Sequence, residues 1–413
     1  MRTAITVALC AVVAVLAAGC TGVPGYAAGP RFLVSGNPSA DWEPVGIRVT
    51  ALPPGARVSI TANVRSGGLW SSQADYAVPP NGTVDLSRQA PIDGPFRGAD
   101  GMGLFWSLRS ANGAPATSEQ TWEGGTQEVT LTAVVDGRRV ARTQLVRVGL
   151  SAVAPSEAVF DDGISGDYFP PTTSSEGLRP AVLVFDGTDT GTSTGVLAAA
   201  RLAAAGYPAL AFSAYGSAGQ PDPTRTLPAE RLLSAIGWLR SQAGVDPSRI
   251  FSFGTSRGAA LALWAAVAYP DLVYGAIAPA GTTGLICSSP VPAPAVTVGG
   301  SWVPCATGTR EVTQANVLDL SRIQGPIVLG CAGNDEQLAN GCAWMAAGRR
   351  ARGERVDDSY LSARDATHLF YVPPYTPLYL PPVPFAQATE NARVAFWAAV
   401  GKALTAPSTV PGH

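Results

Sequence analysis

The pattern of hydrophobic residues changes once along this chain of 413 residues, close to residue 150. Before that point, short β-branched or alternating runs are separated by turn pairs such as Asn81-Gly82 and Asp136-Gly137. Short strands with regular turn signals are typical of an antiparallel sandwich. After that point, short apolar strands alternate with helical segments, which predicts a mostly parallel sheet with helices on both faces. The change therefore predicts two domains of different architecture.

The first domain is expected over 36–150 as an all-β, immunoglobulin-like sandwich. Its predicted strands include Val45–Leu52, Ala56–Val64, Gly103–Leu108, Gln127–Val135 and Arg138–Val148. The second domain is expected over 156–405. Its predicted strands are Ala181–Phe185, Ala209–Phe212, Arg249–Phe253, Val273–Pro279, Pro326–Gly330 and Asp358–Leu361. Its predicted helices are Gly195–Ala205, Ala229–Gln242, Gly258–Ala268, Gln337–Arg350 and Phe385–Leu404. We interpret Ser151–Pro155 as a linker, 280–320 as an excursion near the sheet edge, and 406–413 as a flexible tail.

The composition excludes two classes of protein. The chain is 46% apolar and only 14% charged, so it is not a polar disordered chain. It carries 28 basic and 30 acidic residues, and no run of Lys or Arg forms a basic stripe. Nucleic acid is therefore not expected as a partner.

The first 19 residues have the character of an export signal. Arg2 precedes the apolar segment Ala4–Ala18, which is shorter than the roughly 20 residues that a membrane-spanning helix needs. The sequence Leu16-Ala17-Ala18-Gly19-Cys20 resembles a bacterial lipobox, in which the cysteine is lipidated and becomes the first residue of the mature chain. We therefore expect a tether over 20–35 and a membrane-anchored, extracytoplasmic protein. The alternative is an ordinary export signal with a coincidental Cys20.

The remaining cysteines are consistent with export. Cys10 is removed with the signal, which leaves an even set after Cys20, namely Cys287, Cys305, Cys331 and Cys342. Four cysteines in an oxidising compartment suggest two disulfides with three possible pairings. We expect the local pairing, Cys287 with Cys305 and Cys331 with Cys342. A zinc site is the alternative, but it requires closer ligand pairs or histidines.

Two segments match the pattern G-x-S-x-G of a nucleophile elbow. The first, Gly254–Gly258, places Ser256 between an apolar strand and a helix, which is the sharp turn that the elbow requires. This context predicts an α/β-hydrolase domain with Ser256 as nucleophile. The second, Gly191–Gly195, places Ser193 seven residues beyond its strand, in what is expected to be a solvated loop.

A serine nucleophile needs a base, and the chain has only two histidines. His413 is the last residue and is expected to be disordered. His368 follows the strand near Leu361, where a parallel sheet presents its last loop. We therefore predict His368 as the base, with a structural histidine as the alternative.

The acid is expected between the serine and the histidine. Asp335 follows the strand that ends at Gly330 and is the preferred candidate. Glu336 is interpreted as a first-turn acid of the next helix, and Asp319 lies at the wrong end of the strand. If Cys331 and Cys342 pair, they bracket the Asp335 loop.

The oxyanion hole needs two backbone N–H donors. Arg257, which follows the nucleophile, is predicted to supply one, and the loop after the first strong strand, Gly187 and Thr188, the other. A simple surface turn is the alternative for that loop. No metal or organic cofactor is indicated.

Both halves resemble one family, the acyl-CoA thioesterases related to bile acid-CoA:amino acid N-acyltransferase, over about 40–404. In the sandwich the resemblance rests on Leu52-Pro53-Pro54-Gly55, Trp70-Ser71-Ser72-Gln73-Ala74, Gly82-Thr83-Val84-Asp85-Leu86 and Gly101-Met102-Gly103-Leu104-Phe105-Trp106-Ser107-Leu108. In the second domain it rests on Gly166-Asp167-Tyr168-Phe169-Pro170-Pro171 and His368-Leu369-Phe370-Tyr371-Val372-Pro373-Pro374-Tyr375. By position, the family's triad falls on Ser256, Asp335 and His368.

The resemblance implies cleavage of an acyl thioester, acyl-CoA to fatty acid and CoA, through an acyl-serine. In that family, members that transfer acyl groups to amines use cysteine, whereas the thioesterases use serine, so Ser256 favours hydrolysis. One alternative is an envelope acyltransferase or carboxylesterase acting on an extracytoplasmic lipid ester or amine. Another is a non-enzymatic envelope-binding protein on a hydrolase scaffold. In the enzymatic readings the partner is a small acyl thioester or ester.

Overall fold

The computed structural model describes residues 29–66, 68–110, 126–161, 163–173, 177–186, 193–214, 226–287, 294–377 and 385–407. The predicted export signal, Cys20 and the end of the tail lie outside these residues. Within the described ranges, no helix combines the length and apolar character that crossing a bilayer requires.

The N-terminal half contains two sheets. Its strands are β1 (Arg31–Ser35), β2 (Ser39–Ala40), β3 (Gly46–Thr50), β4 (Arg57–Arg65), β5 (Leu69–Ala77), β6 (Val84–Asp85), β7 (Arg109–Ser110), β8 (Gln127–Val135) and β9 (Arg138–Val148). Six strands pair in the order β2-β9-β8-β4-β5-β7, and three pair in the order β1-β3-β6. Buried residues of both sheets belong to one hydrophobic core.

Alternation of side chains fixes the register of the larger sheet. In β4, Val58, Ile60 and Ala62 are buried while the residues between them are only partly buried, as expected when one face of a strand covers a core. The β8–β9 hairpin turns at Asp136-Gly137, where φ is 50° and 73°. Positive φ at both central residues is what a two-residue hairpin of type I′ requires. The predicted strands β8 and β9 have the predicted bounds.

The predicted strand Gly103–Leu108 is wrong, because these residues form a short helix, α1 (Gly103–Trp106). Asp100 stabilises it by accepting hydrogen bonds from the backbone N–H of Met102 and from Nε1 of Trp106, both at 2.8 Å. A Cβ on Gly103 would lie 2.5 Å from the Phe96 ring. The apolar run is therefore buried by packing around Phe96 and not by strand pairing.

The C-terminal half is built on an eight-stranded mixed sheet in the order β10-β11-β13-β12-β15-β16-β19-β20. These strands are β10 (Glu157–Asp161), β11 (Ile164–Phe169), β12 (Arg179–Phe185), β13 (Ala209–Phe212), β15 (Val245–Gly254), β16 (Gly275–Pro279), β19 (Ile327–Ala332) and β20 (Ser359–Ala363). Strand β10 is antiparallel to β11, and β11 is antiparallel to β13; neither β10 nor β11 was predicted. In sheet order, the six strands from β13 to β20 run parallel to one another. This arrangement is α/β-hydrolase-like.

Helices cover both faces of this sheet. They are α2 (Leu150–Val153), α3 (Ser193–Ala204), α4 (Ala229–Arg240), α5 (Arg257–Ala268), α6 (Gly341–Arg352) and α7 (Phe385–Thr405). In β12, Val182 and Val184 belong to the core that also holds residues of α3, α7 and the N-terminal half. Leu183 and Phe185 belong to the core that holds α4 and α5. Neighbouring side chains of a strand point to opposite faces, so the sheet separates these two cores.

The excursion at 280–320 contains β17 (Val296–Val298), β18 (Ser301–Trp302) and a 3₁₀ turn at Gln314–Asn316. Strand β14 (Leu227–Pro228) pairs with β17 to complete a small separate sheet. A second 3₁₀ turn, Leu320–Arg322, leads back toward β19.

The segment predicted as a linker, Ser151–Pro155, is structured. Helix α2 occupies its first half and packs near α3, and Ala154 is buried. Across the same boundary, the side chain of Gln387 accepts a hydrogen bond from the backbone N–H of Arg97 and donates one to its carbonyl. The two halves therefore share an extensive contact in addition to the chain that joins them.

Charged residues are buried where the two halves meet. Arg147 donates to Ser39 Oγ and to the backbone carbonyls of Asp41 and Glu43 at 2.6–2.7 Å. Burial raises the pKa of Asp41 to about 7, against the opposing effect of Arg147 and more distant arginines. Oδ1 of Asp41 has no hydrogen-bond partner among the described residues. The ionised form of this carboxyl is therefore destabilised in the folded protein.

This burial predicts how stability depends on pH. A carboxyl whose pKa is higher in the folded state favours folding most at low pH and loses that contribution as pH rises through about 7. We expect Asp41→Asn to raise the free energy of unfolding at about pH 8 by up to a few kcal/mol, at roughly 1.4 kcal/mol per pKa unit, and so to raise the unfolding temperature. Near pH 4 the gain should vanish. Thermal unfolding of both proteins across pH measures this, and an equal difference at every pH would contradict it.

Candidate active site

Ser256 occupies the sharp turn between β15, which ends at Gly254, and α5, which begins at Arg257. Its backbone has φ 51° and ψ −118°, a region that residues with a side chain rarely adopt and that costs on the order of 1–3 kcal/mol. Strain of this kind is concentrated at functional sites. The turn is the nucleophile-elbow geometry that the sequence context predicted.

Crowding around this turn explains the two glycines of the motif. A Cβ on Gly254 would lie 2.0 Å from the carbonyl oxygen of Gly258, and a Cβ on Gly258 would lie 2.2 Å from that of Asp186. Beside them, a Cβ on Gly281 would lie 2.3 Å from the carbonyl oxygen of Ser256. Only glycine allows the backbone segments to approach this closely.

The second match to the motif lacks this crowding. Ser193 is the first residue of α3 and does not lie in a loop as predicted. A Cβ on Gly195 would come no closer than 3.6 Å to Asp186, an ordinary contact distance, and Gly191 lies outside the described residues. The pattern at Ser193 therefore has no elbow geometry.

His368 and Asp335 form a buried pair. Nδ1 of His368 lies 2.9 Å from both carboxylate oxygens of Asp335, and each side chain is 1% exposed. A carboxylate accepts, so Nδ1 carries the hydrogen and Nε2 is left as the acceptor. Nε2 is buried and has no hydrogen-bond partner among the described residues.

The loop after β19 holds the Asp335 carboxylate in place. Its Oδ1 also accepts hydrogen bonds from the backbone N–H groups of Gln337 and Leu338, at 2.9 and 2.8 Å. Asp319, the rejected alternative, lies at the other end of β19 and accepts from Ser321 instead. The carboxylate that contacts the imidazole is thus also held by two backbone N–H groups of its own loop.

Two residues that sequence reasoning missed position His368. Glu336 was interpreted as a first-turn acid, but α6 begins only at Gly341, and Glu336 Oε2 accepts the backbone N–H of His368 at 3.1 Å. Thr389, buried in α7, accepts the N–H of Thr367 at 2.9 Å. These contacts join loops far apart in sequence, so no local pattern could reveal them.

An apolar cavity of about 280 Å³ opens between Ser256 and His368. Its walls come from α5, from the excursion and from the loop after Asp335. The apolar lining residues are Ala260, Leu261, Ala280, Leu285, Ile286, Ala295 and Leu338. Apolar walls around a few polar groups are typical of a small-molecule site.

Both disulfides of the local pairing are present. Cys287 pairs with Cys305 and Cys331 with Cys342, so none of these thiols is available for the zinc alternative. Among the residues that the structure describes, no cluster of His, Cys, Asp or Glu is suited to a metal. Cys287 lines the cavity, and the Cys331–Cys342 loop contains Asp335.

The predicted oxyanion donors are described only in part. Arg257 begins α5, where backbone N–H groups and the helix dipole favour a negative charge. Gly187 and Thr188 lie outside the described residues. Asp186, the last described residue before them, packs against Gly258.

Comparisons with known proteins support the predicted resemblance. Residues 42–153 match the family model described as the acyl-CoA thioester hydrolase/BAAT N-terminal region. Acyl-coenzyme A amino acid N-acyltransferase 1 of Mus musculus is 26% identical over 359 residues, which cover 81% of this chain and 85% of that protein. Acyl-coenzyme A thioesterase 1 of Homo sapiens is 28% identical over 229 residues, 54% of this chain and 53% of that protein. The resemblance to the acyl-CoA thioesterase and N-acyltransferase family is confirmed.

Solved structures with similarity to this chain are more distant. A putative dienelactone hydrolase from Klebsiella pneumoniae has a TM-score of 0.40 and 16% identity, and covers 60% of this chain and 98% of that one. A puromycin-hydrolysing peptidase from Mycobacterium tuberculosis has a TM-score of 0.41 and 15% identity, and covers 92% of this chain and 68% of that one. The description of the fold rests on the strand order given above.

The two disulfides should differ in their effect on the site. By loop entropy each stabilises the protein by roughly 3 kcal/mol, less any strain, because they span 18 and 11 residues. We expect C331A/C342A and C287A/C305A to lower the unfolding temperature comparably. Only the former should slow fluorophosphonate labelling of Ser256 by more than about tenfold, since it releases the Asp335 loop that orients His368. Equal labelling rates in both folded variants would contradict this role.

Proposed function

We propose that this chain is a serine-dependent acyl thioester hydrolase, acting on acyl-CoA or a related thioester. The observation that carries the proposal is the strained Ser256 turn, which faces the same cavity as a histidine oriented by a buried aspartate. Ser256 is the nucleophile, His368 the general base and Asp335 the residue that orients the imidazole. The relatives support the coarser assignment to acyl transfer or hydrolysis.

The protonation states follow from the hydrogen bonds. Asp335 holds the hydrogen on Nδ1 of His368, so Nε2 can accept the proton of Ser256 as Oγ attacks the thioester carbonyl. The positive imidazolium is stabilised by the adjacent carboxylate. Collapse of the tetrahedral intermediate breaks the carbon–sulfur bond and leaves an acyl-serine, while the leaving thiolate takes the proton from the imidazolium and departs as a thiol. Water then repeats the sequence and releases a carboxylic acid.

The negative oxygen of the intermediate needs preorganised donors. The N–H of Arg257 at the start of α5 is the first proposed donor. Gly187 or Thr188 is the second proposed donor, because Asp186, which precedes them, packs against Gly258. Removing one such donor typically costs about 10²–10³ in kcat.

The cavity and the nucleophile favour hydrolysis of an apolar acyl group. Leu261, Leu285 and Leu338 offer the acyl chain apolar walls. An acyl-serine is an oxoester, which activated water attacks more readily than amines do, whereas an acyl-cysteine is a thioester that amines attack well. Hydrolysis is therefore the proposed outcome, and transfer to an amine the alternative.

We also propose that the enzyme works outside the cytoplasm, attached to the membrane through lipidated Cys20. Two disulfides support an oxidising location. The thioester would then be an extracytoplasmic acyl donor. Mass spectrometry of the mature N-terminus tests the anchor independently of activity.

Ser256→Ala should reduce thioester hydrolysis by about 10⁴-fold or more and abolish fluorophosphonate labelling, because the attacking oxygen is lost. Ser193→Ala is the matched control, since Ser193 occupies the other G-x-S-x-G sequence, and it should retain both. A panel of acyl-CoA, p-nitrophenyl ester and amine-acceptor assays measures the loss for each activity. Labelling that persists in Ser256→Ala and disappears in Ser193→Ala would reverse the assignment.

Ser256→Cys should preserve part of the turnover and shift the products toward amine transfer. The reason is the greater reactivity of an acyl-thioester intermediate toward amines. The ratio of amide to acid formed from one thioester, at fixed amine concentration, measures the shift. If the ratio equals that of the wild type, the acceptor site and not the nucleophile determines the product.

A further inference from the structure

A second cavity lies where the two halves of the chain meet. It has a volume of about 380 Å³, within the size range of small-molecule sites. The sandwich contributes Trp42 and Pro44, α3 contributes Leu202, and α7 contributes Trp397 and Leu404. The residues that line it are not those that line the cavity at Ser256.

A guanidinium with one nitrogen that has no hydrogen-bond partner among the described residues borders this cavity. Arg201 stacks on Trp397, with Cζ 4.5 Å from the ring centroid. Its Nη1 is buried and has no hydrogen-bond partner among the described residues. No described carboxylate lies within ion-pair distance of it. Burial lowers the pKa of Arg201 to about 10, so it remains a cation at neutral pH.

Two other buried arginines at the same boundary are well bonded. Arg147 donates to one hydroxyl and two carbonyls. Arg393 pairs with Glu390 and donates to the carbonyl of Val372. A buried donor left without an acceptor costs on the order of 1–3 kcal/mol, and more when it is charged. Arg201 therefore has an unsatisfied buried donor, whereas the donors of Arg147 and Arg393 have acceptors. Exceptions of this kind are expected at ligand-binding sites.

We propose that this interdomain cavity binds a monocarboxylic acid with a short apolar chain. Arg201 would pair with the carboxylate, for which the planar guanidinium fork is suited. Trp42, Leu202 and Leu404 would cover the chain. Glu43 also borders the cavity, but it is exposed to solvent, so its charge is screened.

The cavity is connected to the candidate active site through one loop. Pro374 and Tyr375 line the cavity and follow His368 in the chain. Glu390 in α7 accepts the N–H of Tyr375 at 2.8 Å. If the proposed function holds, the ligand has the chemistry of the reaction product. The site itself does not depend on that function.

Photocrosslinking locates the ligand without an activity assay. The full-length protein is irradiated with a diazirine derivative of octanoic acid, and the labelled peptides are identified by mass spectrometry. We expect labelling in the peptides that contain Trp42, Leu202 or Leu404, with competition by octanoate but not by octanol. Labelling confined to peptides around Leu285 and Leu338 would place the acid only at the Ser256 cavity and overturn the proposal.

Three variants test the roles of charge and space. Arg201→Met keeps the apolar stem and should weaken labelling at least tenfold. Gly401→Met should do the same by filling the cavity, because Gly401 borders it and a Cβ there meets no atom within 4 Å. Arg349→Met, an exposed arginine beside Tyr360, is the control and should label normally. Unchanged labelling in folded Arg201→Met and Gly401→Met would refute the site.

Discussion

The structure around the candidate active site depends on one close approach of backbones, at the turn between β15 and α5. A Cβ atom placed on Gly254, Gly258 or Gly281 would lie 2.0–2.3 Å from a backbone carbonyl oxygen. These oxygens belong to Gly258, Asp186 and Ser256, respectively. Because the three glycines lack a Cβ, the backbones can approach this closely and the chain reverses within three residues. Ser256 lies at the tip of this turn, at positive φ. Ser256, the proposed nucleophile, lines the cavity from this turn.

The second requirement is that His368 meets that tip in one tautomer and one orientation. A loop near the end of a sheet has few contacts of its own, and here three residues from two other elements constrain it. Asp335 holds the ring, Glu336 holds the backbone of His368, and Thr389 of α7 holds the preceding residue. The Cys331–Cys342 disulfide closes the loop that carries Asp335 and Glu336, so both contacts to His368 come from one closed loop.

Sequence reasoning recovered the features that depend on local pattern. The strand–turn–helix around Ser256, the hairpin at Asp136-Gly137 and the buried strands of the parallel sheet all follow from periodicity and turn chemistry. It failed where tertiary contacts decide. The pattern of Gly103–Leu108 predicts a strand, and only the contacts with Phe96 and Asp100 show why it is a helix. The position of Glu336 predicts a first-turn acid of the next helix, and only the structure shows its contact with His368. The antiparallel pair β10–β11 was not predicted, because Glu157–Asp161 is mostly exposed and lacks the apolar pattern of a buried strand.

The central claim is that acyl groups pass through Ser256. Trypsin releases this residue in the peptide Ile250–Arg257, so rapid quenching of the enzyme with an acyl thioester, followed by fragmentation mass spectrometry, reads the site directly. The account predicts a transient acyl adduct on Ser256 that disappears as the thioester is consumed. Turnover without an adduct on this peptide, or an adduct located at Ser193, would contradict it.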